Sequence, residues 1–282
     1  MKTRIIVDST VDVTDELRKQ MHVVPLHVRF GDEEFIDGVT INSQEFYQRL
    51  VESTVLPTSS QPSPDSFERV YEEVTAAGDE AVVLTISSKL SGTYQSACIA
   101  AEDYPNIHVV DTLNATIASG LLAELALNLA NEGMGAKAIA ERLLQERERV
   151  CLLAAFDTLE YLKKGGRISS AVALAGGLLN IKPVVSIENG EIKMLGKARG
   201  SRQANNLLVQ DINKAGGVAF KKPVLLGYTG LSDALLKKYI QDSASLWEGH
   251  LDQLPCSVVG SVVGTHAGPG AVAVAFFAAD SE

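Results

Sequence analysis

Short apolar runs that each stop at a hydroxyl- or glycine-rich turn, with a helix-period segment after most of them, constrain this chain more than any other feature. Residues 4–7 stop at Asp8-Ser9-Thr10, residues 81–86 at the turn 87–93, and residues 107–110 at Asp111-Thr112. Runs this short alternating with amphipathic segments build a parallel sheet with helices on its faces, because parallel neighbours need a crossover between them. The pattern restarts at residues 151–155. It continues through a hairpin around Asn189-Gly190, a helix over 202–215, a strand over 224–228, a helix over 233–242 and two terminal strands. The 282 residues therefore divide into two α/β domains, 1–150 and 151–282, the first with a parallel sheet and the second with a mixed one.

Finer expectations follow from turn chemistry. Residues 23–30 and 33–36 read as one hairpin across Gly31-Asp32, Ser43 caps a helix that runs to Val51, and Thr58-Ser59-Ser60 falls in a Ser/Pro/Thr loop. Ser63 followed by Pro64 opens the next helix. From Cys256 to Ala279 there is no Asp, Glu, Lys or Arg. That length would span a bilayer, but Gly260, Gly264, Gly268, Pro269 and Gly270 interrupt it, so it reads as two buried strands around a Gly/Pro turn.

Composition removes whole classes of function. Lys plus Arg is 25 against 35 for Asp plus Glu, a net charge of −10, which argues against nucleic acid as the main partner. Cys98, Cys151 and Cys256 are scattered and form no CxxC, as expected of a protein in a reducing cytoplasm. The apolar start is too short for a signal peptide. Walker A, GxGxxG and GxSxG patterns are absent, and the histidines make no HExxH.

What remains is a set of turns at the carboxyl ends of strands, where open α/β sheets bind ligands. Ser91-Gly92-Thr93 either caps the following helix or offers hydroxyls and free N–H groups to a carboxylate or phosphate. His266, between two apolar runs and among glycines, is either a satisfied structural histidine or a donor to an anion. Residues 192–210 hold Lys193, Lys197, Arg199 and Arg202 without an acid, and Lys163-Lys164-Gly165-Gly166-Arg167 adds further cations. Such runs are either solvated faces or a docking surface for something anionic.

Taken in order, Asp8-Ser9-Thr10, residues 58–63, Leu90-Ser91-Gly92-Thr93, Asp111-Thr112, residues 162–168, Ile181-Lys182-Pro183, residues 196–200 and residues 264–270 span nearly the whole chain. This ordered set resembles the DegV family, the fatty-acid-binding proteins that serve bacterial fatty acid kinase. The resemblance implies a two-domain EDD-type α/β fold with a lipid pocket between the domains. It implies that Ser59, Ser91 and His266 bind the fatty-acid carboxylate, with Gly92 and Thr93 as backbone donors and Ser60 beside them. Ser59 stands where the family usually has threonine, so the hydroxyl is kept and the methyl lost.

Arg167 and Arg202 map to the face implicated in engaging the kinase subunit. Ile117, Leu121, Leu174 and Leu178 are candidate lining for the acyl chain. On this reading the chain is a non-catalytic carrier. Its ligand is a long-chain fatty acid, it has no other cofactor, and its partner is a separate kinase subunit, with transient contact to a membrane surface compatible with that role. The alternatives are a Ser/His-dependent acyl hydrolase, through His266 with Ser91 or Ser59, and a lipid-sensing regulatory protein.

Overall fold

The computed structural model describes residues 1–169, 180–250 and 253–279. The first half runs β1 (Thr3–Asp8), α1 (Asp15–Arg18), β2 (His22–Val24), β3 (His27–Phe30), β4 (Glu33–Ile36), α2 (Ser43–Glu52) and β5 (Thr58–Ser60). It continues with α3 (Pro64–Ala76), β6 (Glu80–Thr85), α4 (Thr93–Ala101), β7 (Ile107–Asp111), α5 (Thr116–Asn131) and α6 (Ala136–Glu146). The second half runs β8 (Val150–Ala155), α7 (Glu160–Lys164), β9 (Ile181–Glu188), β10 (Glu191–Arg199), α8 (Ser201–Lys214) and β11 (Val224–Tyr228). It ends with α9 (Ala234–Asp242), α10 (Ala244–Trp247), β12 (Cys256–Val258), α11 (Ser261–Ala267) and β13 (Val272–Phe277).

Two main sheets result, and each draws on one half of the chain. The first has the order β2-β1-β6-β7 with every pair parallel. The second has the order β10-β9-β8-β13-β11-β12 and is mixed, parallel only between β11 and β12. Helix α5 packs against both. It is mostly apolar, with Glu124 and Asn128 on one side, and Ile117, Leu121 and Leu122 are fully buried in the core that joins the halves. The β9–β10 hairpin turns at Asn189 and Gly190, with φ of 52° and 83°, the paired left-handed backbone of a tight hairpin turn.

Three local expectations are corrected. Residues 23–30 do not form one strand. Pro25 interrupts them, so β2 joins β1 in the parallel sheet while β3 pairs with β4 and β5 in a separate three-stranded sheet. Thr58-Ser59-Ser60 is strand β5 rather than loop, in register with β3 so that Ser59 opposes Val28. The charge-free terminal stretch is not two strands around a turn, because residues 261–267 form α11 between β12 and β13. Tertiary packing overrides the β propensity of its valines: Ser261, Val262, Gly264, Thr265 and Ala267 are all buried. In addition, Asn42 rather than Ser43 caps α2, in a reciprocal capping box with Glu45.

Candidate functional site

A cavity of about 310 Å³ opens between the two halves, at the lower end of the ~300–1,000 Å³ usual for small-molecule sites. Its apolar floor comes from the second sheet. Leu152, Ala154 and Phe156 alternate along β8 and beyond, Ala271 and Ala273 come from β13 and its approach, and Val185, Ile187 and Ile192 come from the β9–β10 hairpin. Alternation puts these residues on one sheet face, and the register sets Ala154 beside both Ala273 and Val185. Val259, Val262, Val263 and Ala267, on and just before α11, close the cavity from above.

Polar groups reach the cavity from both halves of the chain. Ser59, Ser60, Gln61, Ser91, Gly92, Arg167 and His266 all line the cavity. Ser59 Oγ and His266 Nε2 lie 2.7 Å apart, although 207 residues separate them in sequence. His266 rides on the last turn of α11, which stops at Gly268 with φ 68°. Burial, assisted by the Arg167 charge, pushes the imidazole down to about 4, so the ring is neutral at physiological pH. Its Nδ1 is buried and has no hydrogen-bond partner among the described residues.

Ser91 lies just before α4. Its Oγ shares a hydrogen bond with Thr93 Oγ1 at 2.9 Å and accepts from the Thr93 N–H at 3.4 Å. Gln61, just after β5, is tied to helix α4, since its Nε2 donates to Ser96 Oγ at 2.9 Å. The fit explains Gly92: a side chain there would put Cβ 2.0 Å from Gln61 Oε1. Arg167 donates from Nε to Leu90 O at 3.1 Å and from Nη1 to Gly165 O at 2.5 Å. It has no ion pair among the described residues, and desolvation draws its pKa down.

The lining residues Thr10 and Thr116 are each held by a buried carboxylate, Asp8 and Asp12. Asp8 accepts from Thr10 N–H and Oγ1–H and from the Ile86 N–H, and burial pushes it up to about 6. Asp12 accepts from Thr116 Oγ1 at 2.5 Å and from the Gly260 N–H at 3.0 Å, and burial pushes it up to about 7. Asp12 thus pins Thr116, a β-branched residue held at φ 49°, and fastens the start of α11 to the first half of the chain. Among the described residues no group of His, Cys, Asp or Glu could hold a metal ion, and no helix is long and apolar enough to cross a membrane.

The anticipated residues separate into groups. Ser59, Ser60, Ser91, Gly92 and His266 converge on one cavity. Thr93 is fully buried and lies outside the lining, where it holds the Ser91 hydroxyl. Arg167 faces the cavity, whereas Arg202 is exposed on the first turn of α8. Ile117 and Leu121 are not lining. They are fully buried in the core, because α5 meets the two sheets through its length and only Ala115 and Thr116 at its start reach the cavity. Leu174 and Leu178 lie outside the described residues. Gln61, Arg167 as a lining group and the hairpin residues Val185, Ile187 and Ile192 went unanticipated as site residues, although the alternation of the hairpin was legible.

The class defined by this arrangement is an α/β protein whose two main sheets enclose a mostly apolar cavity also lined by hydroxyls, a neutral imidazole and a guanidinium. The chain belongs to the DegV family: the family described as "Uncharacterised protein, DegV family" matches residues 2–279. A DegV domain-containing protein of Caldanaerobacter subterraneus subsp. tengcongensis is 35% identical over 280 residues, covering 98% of each chain. A Thermus thermophilus structure described as fatty acid binding of a DegV family protein superposes with a TM-score of 0.88 at 33% identity, covering 99% of this chain and 100% of that one. The Streptococcus pneumoniae Fatty Acid Kinase (Fak) B3 protein, solved loaded with linoleic acid, shares the fold at a TM-score of 0.86 and 24% identity, covering 99% and 100% of the two chains.

Proposed function

We propose that this protein binds a long-chain fatty acid, buries the acyl chain in the cavity and presents the carboxylate to a separate ATP-dependent kinase. The observation that carries this reading is the polarity of one cavity. Its floor is mostly apolar, and the Ser59–His266 pair, Ser60, Gln61, Ser91 and Arg167 also line it. Each buried methylene contributes ~0.8 kcal/mol, so a long saturated chain has a large driving force even after ordering costs. Ser59 and Ser91 hydroxyls and the His266 N–H suit a carboxylate, and the nearby Arg167 charge favours its ionised form. A carboxylate oxygen held there can attack the γ-phosphorus of ATP on a partner, releasing ADP and leaving an acyl-phosphate on this chain. The chain carries no nucleotide-binding motif, which is why the ATP is assigned to a partner. Arg202 and the exposed Lys163 and Lys164 are the candidate docking groups. The domains meet at about residue 150, with the lipid site between them.

The 2.7 Å Ser59–His266 contact also invites a hydrolase reading. A general base works best with a pKa near the operating pH and with its second nitrogen oriented by an acceptor. His266 has neither property: it is pushed down to about 4, and its Nδ1 is unpartnered among the described residues. Ser59 is therefore assigned as a binding hydroxyl, not a nucleophile.

Mass spectrometry of an organic extract of the purified protein, alongside native mass spectrometry of the intact chain, tests the proposal. A stoichiometric fatty acid supports it and gives the chain length. A chain that arrives empty and takes up no added fatty acid overturns it. Ester hydrolysis by the pure protein, abolished in His266→Ala, would restore the hydrolase.

A further inference from the structure

Two adjacent glycines follow α7, and they are glycines for different reasons. Gly166 has φ 72° and open space where a side chain would project, so its backbone explains it. Gly165 has φ −73° and ψ −9°, a conformation any residue adopts. Backbone freedom does not explain Gly165. Its surroundings do: a Cβ there would stand 2.2 Å from His266 Nδ1 and 2.9 Å from His266 Cε1.

We infer that Gly165 is a positioning residue for His266, its missing side chain seating the imidazole so that Nε2 carries the proton and points at Ser59 and the ligand. For binding, the inference rests on the fatty-acid reading above. The tautomer follows from the seat. Nδ1 is buried against the backbone of Gly165 and has no partner among the described residues. A proton on Nδ1 would be a buried donor without an acceptor, which is costly, whereas a bare lone pair beside a Cα–H group is tolerated. The proton therefore sits on Nε2 and is donated to Ser59 Oγ at 2.7 Å. That leaves the Ser59 hydroxyl proton free to point into the cavity, so the His266–Ser59 pair presents Ser59 as a donor when a carboxylate arrives. The same turn fixes the neighbouring cation, since Arg167 Nη1 donates to Gly165 O and its Nε to Leu90 O. One short turn thereby sets both the neutral donor and the charge beside it.

Gly165→Ala is the test, read by nitrogen-15 NMR of histidine-labelled, ligand-free protein and by binding of a fluorescent fatty acid. The wild type should show the Nε2–H tautomer at His266. Gly165→Ala should lose that signature and bind roughly ten- to hundredfold more weakly, the cost of one hydrogen bond to a charged group. Gly166→Ala should keep the wild-type His266 spectrum.

A double-mutant cycle isolates the coupling. With His266→Ala already present, the contacts to the imidazole are gone and only Tyr161 O, 3.1 Å from the added Cβ, remains close, so Gly165→Ala should add little further loss. A wild-type spectrum and affinity in Gly165→Ala, or fully additive losses in the double variant, overturn the inference. Should Gly165→Ala alone fail to fold, recovery of folding in the double variant supports it and continued failure overturns it. If the wild type takes up no fatty acid, the carrier reading fails, while the spectra still decide the role of Gly165.

Discussion

Replacing Ala154 with leucine should shorten the fatty acid this protein accepts. Ala154 lies on the floor of the cavity, beside Ala273 and Val185 in the sheet register. Two alanines side by side leave the floor low at that row. Leucine adds about three carbons, which project into a space of about 310 Å³ instead of into packed core. A long acyl chain loses the room for two to three methylenes, at ~0.8 kcal/mol each. The sum is ~2 kcal/mol, or about thirtyfold in affinity. An acid short enough to stop before that row should lose nothing. The empty variant should melt close to the wild type, because the new side chain projects into the cavity that Ala154 lines. The assay is displacement of a fluorescent fatty acid by saturated acids of increasing length, with thermal unfolding of the empty proteins alongside. An equal loss at every length, or none at any length, would refute the placement of the acyl chain along this floor.

Other perturbations test separate parts of the account. Ile117→Ala and Leu121→Ala should each cost about 2–5 kcal/mol of stability while leaving chain-length preference unchanged; a shifted preference would return these residues to the lining. His266, pushed down to about 4 from 6.5, is protonated in the unfolded chain before the folded one as pH falls. The stability from keeping it neutral is present above 6.5 and is lost toward about 4, a swing of about 3 kcal/mol. Urea unfolding of wild type and His266→Ala should therefore show their difference shrinking across that window in the variant's favour, and a pH-independent difference would contradict the buried neutral ring. Arg202→Ala should leave fatty-acid affinity within about twofold and slow acyl-phosphate formation with added kinase; an unchanged rate removes Arg202 from docking.

How much of the site was legible depends on how local its determinants are. The Asp8-Ser9-Thr10 and Ser91-Gly92-Thr93 turns announce themselves, because a short apolar strand that stops at a hydroxyl-rich turn encodes a strand end whatever surrounds it. The Asn189-Gly190 hairpin is legible for the same reason: both residues tolerate left-handed backbone, and few others do. Helix α5 is the opposite case. Its residues Thr116–Asn131 are apolar on most sides, interrupted by Glu124 and Asn128, so periodicity marks a largely buried helix without saying which apolar side meets a cavity. Only the packing shows that its start reaches the cavity while Ile117 and Leu121 do not. Residues 261–267 read locally as strand and turn because isolated Val and Gly propensities favour those states. The helix is favoured by burial and by the Asp12–Gly260 hydrogen bond across 248 residues, which no local window contains.

The sequence by itself determined the alternation of strands and helices, the division into two α/β halves, the hydroxyl-rich strand ends and, through an ordered set of motifs, the family. These rest on backbone conformation and hydrophobic period, which are properties of neighbours along the chain. The tertiary structure alone decided which groups meet. It set Ser59 of an edge strand against His266 of a terminal helix, turned Arg167 inward and placed an unoccupied Cβ position at Gly165 against the imidazole. Contacts between residues a hundred or more positions apart depend on how two sheets and one shared helix pack. That packing is fixed by the summed burial of many side chains, so no short segment carries it.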